Sequence, residues 1–169
     1  ALTPAADGTS YTIDSDGKLV AESSTGGSSG GTITANASVS TWSNLKTEIA
    51  SITGTTYTEE NPYVIEITGN MNTEDSTVEV ITVSSHVKLV SNSDCTITRT
   101  SAFASVNLFQ VNSEASLTIG DENAGGTLTL DGGETEVSAT ASLINVSGTL
   151  VLNEKSVLQN NNCQEAYGT

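Results

Sequence analysis

Ile81-Thr-Val83, Val87-Lys-Leu89 and Thr96-Ile97 are followed by Phe109-Gln-Val111, Leu117-Thr-Ile119 and Leu128-Thr-Leu130, and then by Ile144-Asn-Val146, Leu150-Val-Leu152 and Val157-Leu158. In most of these pieces two apolar residues flank a third, the two-residue period of a strand with one buried face. Three strand-sized pieces return as a group about every 28 to 35 residues, the spacing class of stacked repeats. Such a group cannot bury its apolar row alone, so each group needs a neighbour above and below. The predicted fold is therefore all-β, a parallel β-helix of about three to four coils.

Within this pattern Thr82, Lys88, Gln110, Thr118 and Thr129 alternate with inward residues and are expected to face water. Gly120, Ala124-Gly-Gly126 and Asp131-Gly-Gly133 fall between strands, where glycine admits the positive φ of a sharp corner. Asn160-Asn-Asn162 is expected to place amides at a bend, where stacked asparagines satisfy one another.

Upstream, Trp42, Leu45, Ile49 and Ile52 lie on one face of an amphipathic helix at about 41–53, with Ser40 or Thr41 as its cap. A helix there would close the first coil against stray pairing, with Trp42 in the core. Tyr63 to Gly69 and Val78 to Val83 read as the entry strands. Residues 1–31 form an extension: Tyr11-Thr-Ile13 and Lys18-Leu-Val20 flank Asp14-Ser-Asp-Gly17, a hairpin signal, and the Gly/Ser run Ser23 to Gly31 reads as a linker. Residues 32–169 then form the β-helix domain, expected to be the N-terminal part of a longer solenoid or a chain that docks its open last coil on a partner.

The 169 residues carry 5 Lys plus Arg against 20 Asp plus Glu, a formal net charge of −15. A nucleic acid or an anionic lipid surface would be repelled at long range. No apolar run is long enough to span a bilayer, so no membrane insertion of this segment is expected. The start at Ala1-Leu-Thr-Pro4, without an initiator Met, suggests a removed leader and a secreted or cell-surface location. The two cysteines, Cys95 and Cys163, have no metal-ligand spacing. In the expected register they lie about 10 Å apart along the axis, beyond bridging reach, and are expected as free, partly buried thiols.

The amphipathic helix, the strand ending Ile67-Thr-Gly69, the strand Val87-Lys-Leu-Val90 and the three-strand groups together resemble the start of the pectate-lyase-like right-handed parallel β-helix superfamily. Ser142 to Leu152, followed by Val157-Leu-Gln-Asn-Asn161, is closer in repeat style to bacterial surface and adhesin-like β-helix proteins. The resemblance covers about residues 40 to 163. It is carried by repeat grammar, so it implies a fold and no catalytic residue.

Lyases and hydrolases on such a scaffold need clustered carboxylates with calcium or a proton relay, plus a basic residue. The only arginine, Arg99, has no acidic partner at a recognisable spacing and reads as a solvated strand-exit residue. The only histidine, His86, reads as a turn residue before a strand. Asp121 and Glu122, with Asn123 and Asp131, are candidate oxygen ligands for calcium, as is the pair Glu134 and Glu136. Asn36-Ala-Ser38 and Asn145-Val-Ser147 fit the glycosylation pattern, the second in a strand expected to be buried. No other cofactor is implied.

The reading is a non-enzymatic bacterial surface domain, adhesin-like or structural, whose faces meet a host ligand, a glycan or a neighbouring copy, with end-to-end association through the open last coil. Two alternatives stand beside it. One is the N-terminal fragment of a polysaccharide lyase or glycoside hydrolase whose catalytic coils lie beyond Thr169. The other is a carbohydrate-binding module using Tyr57, Tyr63 or Tyr167 as an aromatic platform.

Overall fold

Apolar residues at a two-residue period bury their row only if other strands lie beside them in register, and parallel pairing through the chain supplies those neighbours. A computed structural model describes residues 11–13, 19–21, 33–53, 56–74, 78–133 and 141–162. Among them the molecule is β-rich, with one α-helix and one short 3-10 turn at Ser101–Phe103.

The strands are β1 (Tyr11–Ile13), β2 (Leu19–Ala21), β3 (Ala37–Val39), β4 (Tyr63–Ile67), β5 (Met71–Asn72), β6 (Ile81–Val83), β7 (His86–Val90), β8 (Cys95–Thr98), β9 (Phe109–Val111), β10 (Ser116–Ile119), β11 (Leu128–Asp131), β12 (Ile144–Val146), β13 (Thr149–Leu152) and β14 (Ser156–Gln159). β1 and β2 pair antiparallel, Tyr11 opposite Ala21, as the hairpin signal predicts. The turn Asp14 to Gly17 and the run Ser23 to Gly31 lie outside the described residues.

All other pairings are parallel and build three sheets. The first holds β3-β4-β7-β10-β13 in spatial order, the second β5-β8-β11-β14 and the third β6-β9-β12. From β4 onward the chain visits first, second and third sheet in rotation. The rows are continuous: Val87, Leu117 and Leu150 align, as do Leu89, Ile119 and Leu152. In the second sheet Ile97, Leu130 and Leu158 align, and in the third Ile81, Phe109 and Ile144. Residues 81 to 130 supply most of the fully buried core.

The helix, α1 (Trp42–Ser51), begins one residue after its cap: Thr41 Oγ1 accepts the Asn44 N–H at 3.2 Å, satisfying an amide that the first turn leaves without an intrahelical partner. Trp42, Leu45 and Ile49 are buried, and the helix packs on β3 and β6. Trp42 stands edge-on to Phe103 and Phe109, with centroids 5.8 and 5.7 Å away, so it is the core residue its helical position predicts.

Four details depart from the sequence reading. β3 and β5 are too short, with one or two apolar residues each, to show a period. Thr118 is buried rather than solvated, on a strand that lies between β7 and β13. The Asn160 to Asn162 run forms no amide stack: Asn160 donates to Asp131 at 3.0 Å, and Asn161 accepts from Arg99 at 2.8 Å. Glycine serves two purposes at the corners. Gly120 has φ +83°, as expected, but Gly126 is required by proximity, since a Cβ there would lie 2.0 Å from the Ser93 carbonyl carbon.

Gly126→Ala is therefore expected to lower stability by about 2–3 kcal/mol in urea unfolding. Gly69→Ala, whose Cβ would meet nothing within 4 Å, is expected to leave the transition nearly unchanged.

Candidate functional site

A polar concavity among the described residues lies where turns of successive layers meet on the first sheet. β7 places Lys88 in the outward row Val64, Lys88, Thr118, Val151, and Gly120 turns the chain so that Asp121 comes back towards it. Lys88 Nζ pairs with Asp121 Oδ2. Asp121 Oδ1 accepts the Asn123 backbone N–H at 2.8 Å and its Nδ2 at 3.2 Å. Glu122, Asn153 and Glu154 complete a cleft of about 320 Å³. Partial burial pushes the Asp121 carboxyl up, but the Lys88 ammonium and the Asn123 donors outweigh it and hold the group below its ordinary value.

Of the candidate calcium ligands, Asp121 and Glu122 meet in this cleft and Asp131 does not. Asp131 sits on the outer side of the second sheet, where Oδ1 accepts the Gly133 N–H at 2.8 Å and Oδ2 accepts Gln159 Nε2 at 2.8 Å and Asn160 Nδ2 at 3.0 Å. Burial raises its carboxyl, and these three donors lower it further than burial raises it. Calcium takes six to eight oxygens, and here an ammonium already neutralises Asp121. Among the described residues no group of three His, Cys, Asp or Glu is placed to hold a metal. Glu134 and Glu136 lie outside the described residues.

Arg99 is the largest correction. Far from solvated, it is 1% exposed. Its Nη1 donates to the Ala141 carbonyl at 2.9 Å and to Asn161 Oδ1 at 2.8 Å, and its Nη2 to the Ser142 carbonyl at 2.7 Å. These acceptors lie about 40 to 60 residues downstream, so no local spacing announces them. A buried, always charged fork gathers Ala141, Ser142 and Asn161 around the end of β8.

His86 is also displaced from its expected role. It opens β7, in register with Ser116, and its Nδ1 lies 2.8 Å from the Ser116 Oγ. Ser116 is buried, so the contact joins two strands and presents no accessible nucleophile. Tyr57 and Tyr63 meet edge to face with centroids 5.0 Å apart, which makes them a packed pair rather than a flat platform. Tyr167 and Cys163 lie outside the described residues, and Cys95 is a buried free thiol. Asn145 is exposed on β12, against the expected burial, while Asn36 Oδ1 is engaged by the Val64 N–H.

Comparison with known proteins gives no match, whether to a protein family, a curated protein or a solved structure.

Three outcomes follow from this geometry. Arg99→Ala removes a buried fork shared by several acceptors and leaves a cavity in its place, the Ser142 carbonyl keeping only its Asn107 donor, and is expected to cost about 3 kcal/mol in denaturant unfolding. The Asp121 and Asp131 carboxyls are lowered on folding, so their contribution is present above the ordinary value of 3.8 and lost as pH falls through the lower folded values. Thermal melts are expected to show that acid loss, smaller in the double variant Asp121→Asn, Asp131→Asn. The Tyr63 phenol is raised from 10.0 to about 12, first by its hydrogen bond to Glu48 and then by burial. Its contribution holds below pH 10 and fades as pH rises towards 12, so tyrosinate absorbance should show a late step that moves back in Glu48→Ala.

Proposed function

We propose that the three parallel sheets are the faces of a right-handed β-helix and that the chain is a non-catalytic domain of a secreted or cell-surface protein, adhesin-like or structural. On this reading it shares the layout of pectate-lyase-like helices, in the repeat style of bacterial surface proteins.

The observation that carries the reading is how the polar chemistry is spent. Lys88 with Asp121, Arg99 with the 141–142 carbonyls, Asp131 with Gln159 and Asn160, and His86 with Ser116 each link one strand or turn to another. Asp94 Oδ1 likewise accepts the Thr127 N–H, and Asn70 Oδ1 the Thr96 N–H. A catalytic acid–base pair needs a carboxylate or imidazole within reach of a substrate proton and not committed to holding strands. Here Asp121, Asp131 and His86 are joints between strands or turns, and Glu122 and Glu154 stand beside a carboxylate that Lys88 already neutralises. The outer faces offer Thr82, Gln110, Asn145, Thr96 and Thr129, neutral hydrogen-bonding groups suited to a glycan or a protein surface.

The test is incubation of the whole chain with uronic-acid polymers and neutral polysaccharides, read by unsaturated-product absorbance and reducing ends, beside a glycan array. No turnover is expected, with any array signal reduced by Thr96→Ala, Thr129→Ala. Product formation that scales with protein concentration would overturn the reading.

A further inference from the structure

We draw no further inference here: the strongest candidate, the polar cleft where Glu122, Asn153 and Glu154 surround the Lys88–Asp121 pair at the turns beside the first sheet, belongs to the site already described, and nothing in the structure shows what ligand it would take.

Discussion

Every layer of this molecule depends on parallel pairing held in register across three sheets. Leu117 is buried because Val87 lies on one side of it and Leu150 on the other. A slip of one residue in β10 would turn Leu117 and Ile119 outward and Ser116 and Thr118 inward, exchanging two leucine-sized side chains for two hydroxyls in the core. The glycine corners serve the same constraint. Gly126 lets one turn lie directly on the Asn92–Ser93 turn beneath it, so that adjacent strands keep their spacing.

Polar residues reinforce this register rather than competing with it. The Asn70 and Asp94 side chains reach forward to amides one layer on, and Ser91 Oγ reaches back to the Ile67 carbonyl at 2.6 Å. Each bond satisfies a backbone group at a corner, where the sheet ladder is interrupted. Arg99 does this at longer range, tying Ala141 and Ser142 to the end of β8. Asp121, Asp131 and His86 take part in the same way, each joined to a residue of another strand or turn.

The two ends differ in a way that matters physically. At one, an amphipathic helix covers apolar side chains and leaves its own polar face to water. At the other, among the described residues, β12, β13 and β14 are each paired on one edge, and Val146, Leu152 and Leu158 are exposed.

Period and composition alone determined the strands of the repeat, α1 with a cap at Ser40 or Thr41, the Trp42 core role and the parallel pairing of successive groups. These are local signals: a two-residue alternation, a helical face, and a spacing that returns. β3 and β5 were too short to carry such a signal. Tertiary structure decided the rest, namely that Arg99 is buried, that Thr118 is covered, that Asp131 belongs with Gln159 and Asn160 and not with Asp121, and that His86 faces Ser116. The physical reason is range. These partners lie about 30 to 60 residues apart and meet only once the layers are in register, so which polar groups face each other is set by the pairing and is not written in any one stretch of chain.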